Sequence, residues 1–294
     1  MNWKDLLKWG LVGLIFVFLF RFLYNSWGDV QNYEFELNWW LFIFSYVFLF
    51  LHFVLISVGW DLLLKVLNGK KLPIMKALRI RVLSDFGRFV PGKVWLILGR
   101  INYCKKWGIS SDVVTYSSLM EIFIGQISAV ILFMLVFLLY SHQLTSYALI
   151  ILVFLPAMLT LLHPELFNTF MKFASKLFKK KFVRTNIKFS FMLSLISVFI
   201  LAWVMMGIGF FLMANAVYPI GLDLLFPFIA VYSISWVLGF VMIFLPAGLG
   251  FREAVMTFLL SFFVPVPIAI LLAVLSRLWA ISGEMLAAGL LYKV

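Results

Sequence analysis

The chain has 294 residues, of which 65% are hydrophobic and only 12% are charged, and its mean hydropathy is +1.09. Soluble domains carry about 25% charged residues, so this composition excludes a water-soluble fold and predicts an all-α protein that crosses a bilayer repeatedly. The net charge of +12 does not indicate a nucleic-acid partner, because the cations lie in short segments between apolar runs, as in the cytoplasmic loops of membrane proteins.

Seven apolar runs qualify as full crossings, each of which needs about 20 residues. In chain order they cover residues 6–24, 38–64, 113–140, 145–163, 189–217, 223–245 and 267–291. The first run follows Lys4 and Lys8 in the manner of a signal peptide. No small-residue cleavage site comes after it, so we expect it to be a retained helix.

Two further hydrophobic stretches are interrupted. Residues 73–103 are broken at Pro91-Gly92, and residues 246–264 open with a turn that contains Pro246, Gly248 and Gly250. The orientation of the neighbouring runs requires the first stretch to enter the membrane and return or to lie on the surface, and we predict a re-entrant hairpin. The second stretch must cross as a short span of about 15 residues, or about 22 Å.

Basic residues set the predicted orientation. Twenty of the 24 lie in residues 1–8, 65–106 and 172–188, whereas residues 25–37, 141–146 and 218–223 contain none. Cations favour the cytoplasmic side, so both termini and the segments 65–106 and 165–188 are predicted to be cytoplasmic. The predicted location is the cell membrane (the inner or plasma membrane).

The two breaks indicate that the two halves of the chain are related. We interpret residues 1–294 as one transmembrane domain, with halves over about 1–164 and 189–294 joined by the basic loop 165–188. Each break follows the second span of its half. Paired broken segments in two halves mark the binding site in many transporters.

Charged residues at membrane depth are costly and are usually functional or paired. The candidates are Asp85, Arg88, Lys93, Arg100, Glu121, Arg252, Glu253, Arg277 and Glu284. Arg277 and Glu284 are seven residues apart and therefore share one helix face, which predicts a polar interior or a wet cavity. The alternative is that they pair with Glu121 or Arg252 and only lock helices together. Glu121, near the inner end of its run, could equally form a local pair there.

The first break favours anion binding. Proline removes an amide donor and glycine loosens the backbone, and a helix that restarts after the break presents free N–H groups that attract phosphate. Arg88, Lys93 and Arg100 add positive charge around it. The alternative is an ordinary amphipathic helix on the cytoplasmic surface.

The second break has the same arrangement of proline, small residues and a helix start. Glu253 in the first helical turn complements the helix dipole, and Arg252 is left to face an anion. The alternative is a tight cytoplasmic turn with a local pair between Arg252 and Glu253.

Motifs for chemistry are absent from the sequence. There is no GxxxxGK[ST] phosphate loop, no Ser/His/Asp or Cys/His constellation, and no metal-ligand spacing among the three histidines. The single cysteine, Cys104, excludes an intrachain disulfide. We therefore expect no enzyme activity, no cofactor and no metal. Transport would have to run downhill or be coupled to an ion gradient or the membrane potential.

Residues 87–95, Gly-Arg-Phe-Val-Pro-Gly-Lys-Val-Trp, with Gly99-Arg100 after them, resemble the first signature of the lysylphosphatidylglycerol synthase transmembrane-region family. Residues 246–254, Pro-Ala-Gly-Leu-Gly-Phe-Arg-Glu-Ala, are similar to its second signature, Pro-Gly-Gly-hydrophobic-Gly-x-Arg-Glu, from which Ala247 departs. Arg277 also fits the family pattern. The family includes the flippase half of the multiple peptide resistance factor, which moves aminoacylated phosphatidylglycerol between leaflets. The aminoacyl transferase domain of that factor has no counterpart here, so no lipid aminoacylation is expected.

The leading hypothesis is a lipid translocase for an anionic phospholipid or a polyprenyl-phosphate-linked glycolipid, with membrane lipids as its partners. The alternative is a non-transport scaffold or accessory subunit of a lipid-modifying or envelope-glycosylation enzyme; a homo-oligomer or such an enzyme partner fits either reading. The predicted site has three sets of residues. They are the phosphate ligands Arg88, Lys93, Arg100, Arg252 and Arg277; the charge-balancing or proton-coupling acids Glu121, Glu253 and Glu284; and the helix breaks Pro91, Gly92, Pro246, Gly248 and Gly250.

Overall fold

The computed structural model describes residues 37–69, 71–89, 94–140, 160, 163–177, 187–242, 245 and 248–292. Within these ranges the chain forms nine α-helices and no strand, which confirms the predicted all-α class. They are α1 Trp39–Asn68, α2 Ile74–Asp85, α3 Val94–Lys105, α4 Ser111–Tyr140, α5 Pro164–Leu177, α6 Phe189–Val217, α7 Leu225–Val241, α8 Phe251–Leu260 and α9 Val266–Leu291. Short 3-10 helices cover Phe86–Phe89 and Leu222–Leu224.

Five of the described helices are long and apolar enough to cross a bilayer: α1, α4, α6, α7 with the 3-10 turn before it, and α9. They correspond to five of the seven predicted crossings, so the chain is a multi-pass membrane protein. The predicted run 6–24 and nearly all of the run 145–163 lie outside the described residues. The total of about seven full spans therefore stays a prediction, as do the division into halves and the orientation.

The first interrupted stretch forms a helical hairpin, and its entry into the membrane stays a prediction. Its arms α2 and α3 have 12 residues each, or about 18 Å, which is too short to cross a hydrocarbon core of about 30 Å. Gly87 lies in the 3-10 turn between the arms, and a Cβ there would stand 2.5 Å from the amide nitrogen of Leu96. The hairpin therefore requires glycine at this position. Pro91, Gly92 and Lys93 lie outside the described residues.

The second interrupted stretch is shorter as a helix than predicted. Helix α8 has ten residues, or about 15 Å, which is half of the hydrocarbon core. Residues 261–264 form a turn into α9. Before α8, Gly248 and Gly250 have φ of 67° and 80°, a left-handed backbone that side chains disfavour. Pro246 lies outside the described residues.

Helices α1 and α6 form the centre of the bundle and run antiparallel. The amide of Asn38, just before α1, donates to the carbonyl of Ala216 near the end of α6 at 2.9 Å. Glycines bring α6 close to its neighbours: a Cβ on Gly207 would lie 2.7 Å from Ile229 Cα of α7, and one on Gly209 would lie 3.0 Å from the carbonyl of Ser45 in α1. Small residues at such crossings let apolar helices pack in lipid. The close packing leaves the hairpin, α4, α8 and α9 to surround a polar centre.

Candidate functional site: a buried cluster of arginines and carboxylates

Nine ionisable side chains meet in the interior, and we refer to them as the charge cluster. They come from α2, the turn after it, α3, α4, α8 and α9. The members are Arg81, Asp85, Arg88, Arg100, Glu121, Arg252, Glu253, Arg277 and Glu284. Buried charges are tolerated when they are paired and hydrogen-bonded, so the partners of each side chain decide what the cluster can do.

The hairpin and α4 contribute a network of two arginines and two carboxylates. Arg81 Nε donates to Glu121 Oε1 at 2.8 Å, and Arg81 also pairs with Asp85, one turn along α2. Arg100 of α3 pairs with the other oxygen of Glu121 and lies 3.6 Å from Asp85. Glu121 therefore binds one arginine from each arm of the hairpin. This network fixes both arms to α4.

Arg100 is the most deeply buried cation of the cluster, with no exposed surface. Its guanidinium lies 4.9 Å from the ring centroid of Trp60 in α1, and Nη1 donates to Ser118 Oγ at 3.3 Å. Trp60 is itself held by a hydrogen bond from Nε1 to Ser117 Oγ at 3.2 Å. A cation over an indole face is attracted to the ring electrons, most strongly when water is excluded. Arg100 is thus locked on three sides.

The turn after α2 is joined to α9 by a separate pair. Arg88 pairs with Glu284, 196 residues later in the chain, and its guanidinium lies 5.9 Å from the ring centroid of Trp236 in α7. The second carboxylate oxygen of Glu284, Oε2, has no hydrogen-bond donor among the described residues. The pair connects the first break to the last span.

The start of α8 is joined to α9 in the same way. Arg277 Nη1 donates to Glu253 Oε1 at 2.6 Å, and Glu253 Oε2 accepts from the amide of Gly250 at 2.6 Å. Glu253 therefore caps the helix, as its place in the first turn predicts, and holds α9 at the same time. The expected alternative, a local pair between Glu253 and Arg252, is wrong.

Arg252 differs from the other arginines of the cluster. Its guanidinium lies 4.9 Å from the ring centroid of Tyr232 in α7, and only 7% of the residue is exposed. The described part of the chain places no carboxylate within salt-bridge distance of it. Its Nε and Nη2 are buried without an acceptor there, as are those of Arg100, so the missing carboxylate is what sets Arg252 apart. A Cβ on Gly239 would stand 2.8 Å from Arg252 Cβ. Glycine in α7 is therefore what admits this arginine.

The formal charges of its members give the charge cluster a positive net charge. Five arginines stand against four carboxylates in the charge cluster, which leaves one positive charge in excess. Arg252 is the member without a carboxylate. An unpaired buried charge is expensive, so the cluster is complementary to one added negative charge.

A cavity opens onto the cluster from the centre of the bundle. Arg81, Asp85, Arg88, Arg100, Glu121 and Glu284 line one part of it, and His52, Gln126, Phe199, Trp203 and Trp236 are among the residues that line the rest. Its volume is about 80 Å³, which has room for several water molecules. The structure therefore shows a polar cavity beside the charge cluster.

The structure brings together most of the residues predicted for the site. Of the predicted phosphate ligands and acids, Arg88, Arg100, Glu121 and Glu284 line the cavity. Arg252, Glu253 and Arg277 form the adjoining part of the charge cluster at the start of α8. Lys93 lies outside the described residues. Arg277 and Glu284 do form pairs between helices, as the alternative expected, but the carboxylate that Arg277 binds is Glu253 and the arginine that Glu284 binds is Arg88.

Sequence reasoning missed several members of the site. Arg81 is one of the cations of segment 65–106, which in the sequence indicate only orientation, and the sequence assigns no role to Asp85. Their spacing of four residues on one helix, which places them on the same face, could have identified the pair. Nothing local singles out the aromatic partners Trp60, Tyr232 and Trp236, because tryptophan and tyrosine are common throughout this chain. Among the described residues, no three His, Cys, Asp or Glu side chains are placed to hold a metal ion.

Comparison with known proteins agrees with the two break motifs. A search of curated proteins found no match. A family model described as lysylphosphatidylglycerol synthase TM region matches residues 6–283, which is nearly the whole chain and includes both breaks and every member of the charge cluster except Glu284. The chain therefore belongs to the lysylphosphatidylglycerol synthase transmembrane-region family, whose membrane proteins are tied to lipid modification or translocation.

Proposed function

We propose that this protein is a flippase-like lipid translocase, and not an enzyme, for lipids whose headgroup carries a phosphate. The observation that supports the proposal most directly is Arg252, which is buried beside Tyr232 with no carboxylate partner among the described residues. A phosphodiester carries one negative charge, which equals the excess positive charge of the charge cluster. An anionic phospholipid and a polyprenyl-phosphate-linked glycolipid share this chemistry.

The position of the charge cluster supports the same proposal. The two short, interrupted elements of the described chain, the α2–α3 hairpin and α8, contribute four of its five arginines. Half-helices of this kind supply binding sites in transporters because they bring polar backbone and charge into the membrane interior. Carboxylates join both elements to full spans: Glu121 of α4 and Glu284 of α9 bind arginines of the hairpin, and Glu253 of α8 binds Arg277 of α9. An incoming phosphate can compete for these arginines and release a half-helix from its span.

The arginine–carboxylate pairs also fit the alternative function, a non-transport scaffold or accessory subunit for a lipid-modifying or envelope-glycosylation enzyme in the cell membrane. Pairs such as Arg277 with Glu253 fasten helices together whether or not lipid moves. Arg252 distinguishes the two functions, since a purely structural cluster gains nothing from an uncompensated buried cation.

The test uses purified protein in liposomes with fluorescent phosphatidylglycerol and an impermeant quencher. Wild type is expected to expose inner-leaflet probe to the quencher faster than empty liposomes do. Arg252→Gln removes a charge-assisted contact worth about 1.5–3 kcal/mol, so transport should fall by at least about tenfold. Its thermal stability should stay at or above the wild-type value, because the uncompensated charge is gone.

The control is Lys106→Gln, which removes a cation from an exposed turn after α3 and should leave transport unchanged. A wild-type rate equal to that of empty liposomes would reject the translocase. Arg252→Gln and Arg277→Gln variants that bind phosphatidylglycerol like wild type, but lose a partner protein on purification, would favour the scaffold.

A further inference from the structure

His52 in α1 lines the same cavity as six members of the charge cluster. Its Nδ1 lies 2.8 Å from the carbonyl oxygen of Ala202 in α6. A carbonyl oxygen can only accept, so Nδ1 carries the hydrogen, and in the neutral ring the lone pair is on Nε2. No described residue forms a hydrogen bond with Nε2, and the side chain lines the cavity. The bond to α6 therefore orients a proton acceptor beside the charge cluster.

The ionisable groups that surround His52 come from every charged element packed around the cavity. Helix α6, which packs along α1, contributes none between Phe189 and Val217. The hairpin contributes three arginines and one carboxylate, and α4 and α9 contribute one carboxylate each. These groups are Arg81, Asp85, Arg88, Arg100, Glu121 and Glu284. In the empty cavity the imidazole therefore faces three cations and three anions that are already paired with one another.

The pairing keeps the imidazole neutral while the cavity is empty. His52 is buried, with 9% of the residue exposed, and a charge in such a place is unfavourable unless a counter-charge is near. Arg81 and Arg88 line the same cavity and oppose a further positive charge there, and the carboxylates Glu121 and Glu284 are already paired with arginines. A phosphate in the cavity changes this balance, since it adds the counter-charge that an imidazolium needs.

The depth of His52 along α1 suits a group that binds a proton inside the membrane. It lies 16 residues before the end of α1, about 24 Å along the helix, whereas Glu121 lies ten residues after the start of α4, about 15 Å. The cavity thus extends from the charge cluster toward the middle of the bundle. A charged residue inside a membrane span is a recurrent element of proton pathways.

We propose that His52 Nε2 binds a proton together with the phosphate of the lipid headgroup, so that proton and lipid load and unload as a unit. This rests on the proposed function, because the phosphate is that of the translocated lipid. Two ligands that each favour the binding of the other must do so equally. Lowering the pH then tightens lipid binding, and a proton gradient drives lipid movement without an NTPase.

The test measures the affinity of short-chain phosphatidylglycerol for the detergent-solubilised full chain between pH 5.5 and 8, followed by tryptophan fluorescence. This lipid is a phosphodiester, so its own charge is constant over the range. For one linked proton, wild-type affinity should rise as the pH falls, by up to about tenfold per pH unit. His52→Asn keeps a donor at the position of Nδ1 for the Ala202 carbonyl and removes Nε2. Its lipid affinity should show no pH dependence.

The matched control is His163→Asn, since His163 is exposed just before α5 and should keep the wild-type pH dependence. A second measurement does not depend on any variant: nitrogen-15 NMR of the histidine rings at pH 7 should show protonation of His52 when the lipid is added. A pH dependence retained in His52→Asn, or a His52 ring that stays neutral with lipid bound, would overturn the proposal.

The outcomes separate this inference from the proposed function. Wild type that flips lipid with a pH dependence unaffected by His52→Asn refutes the role of His52 and leaves the translocase standing. Wild type that binds lipid and proton together but never moves lipid in liposomes supports the inference about His52 and refutes the translocase. No binding of phosphatidylglycerol at any pH refutes both.

Discussion

Replacing Arg100 by methionine removes the most deeply buried cation of the charge cluster and keeps most of the side-chain volume. Arg81, Arg100, Asp85 and Glu121 form a balanced group of two positive and two negative charges. The substitution leaves one negative charge in excess, and removing one partner of a buried pair costs about 3–5 kcal/mol. We expect a cost of about 3 kcal/mol in the free energy of unfolding, at the lower end of that range, because Glu121 keeps its bond to Arg81 at 2.8 Å.

Adding Glu121→Gln to Arg100→Met restores equal numbers of positive and negative charges in this group. Glu121→Gln by itself leaves one positive charge in excess, whereas Arg100→Met combined with Glu121→Gln leaves the group neutral. The double variant should therefore be more stable than the sum of the two single effects, by a coupling of about 1–3 kcal/mol. The measurement is unfolding in mixed detergent micelles, followed by circular dichroism.

The control pair is Lys106→Met and Glu165→Gln, two exposed side chains from different parts of the chain. Their effects should be small and should add within about 0.5 kcal/mol. The reasoning is refuted if Arg100→Met costs less than about 1 kcal/mol, or if the effects of Arg100→Met and Glu121→Gln also add. Either result would mean that water reaches the network and screens its charges.

Three further substitutions, each with a matched control, test two close contacts of glycine with backbone and one buried hydrogen bond. Gly248→Ala should destabilise by more than about 2 kcal/mol in a thermal or denaturant scan, because φ is 67° and the new Cβ would stand 2.5 Å from a carbonyl oxygen. Gly69→Ala, with φ of 70° in open space, should cost only about 1 kcal/mol; equal costs would refute the clash. Gly207→Ala should cost about 1–3 kcal/mol, since the Cβ meets the backbone of α7 at 2.7 Å. Gly289→Ala, which meets nothing within 4 Å, should gain up to about 1 kcal/mol, and a loss there would count against the packing argument. Asp61→Ala should lower stability by about 1–3 kcal/mol, because Asp61 accepts a buried backbone amide just before α2 at 2.8 Å. Asp61→Asn keeps that acceptor and should cost clearly less.

The long spans were predictable because lipid leaves the backbone few options. A segment in hydrocarbon must satisfy its own hydrogen bonds, so an apolar run of sufficient length becomes a helix. The helices Trp39–Asn68, Ser111–Tyr140 and Phe189–Val217 accordingly begin and end within a few residues of the predicted runs. Helix α8 departs from its prediction, because the glycine turn before it and the turn at 261–264 shorten it to ten residues.

The cost of charge in lipid also allowed the members of the site to be predicted, but not their partners. Any arginine or carboxylate inside an apolar run is conspicuous, so Arg88, Arg100, Arg252 and Arg277 stand out in the sequence. Which carboxylate each one meets depends on helix contacts between residues far apart in the chain, such as Arg88 and Glu284 at a separation of 196. Tertiary structure alone assigned Arg81 to Glu121 and placed aromatic faces under three of the arginines.

Composition and charge placement by themselves determined that this chain is a helical membrane protein with cations at two broken segments, because these properties follow from the solvent that each residue prefers. The packing of α1 against α6 and of the hairpin against α4 decided which of those charges are neutralised. That choice leaves Arg252 without a carboxylate in the described chain and turns His52 toward the cavity. Whether a buried charge is neutralised depends on side chains a few ångströms away, and only the folded chain brings those side chains together.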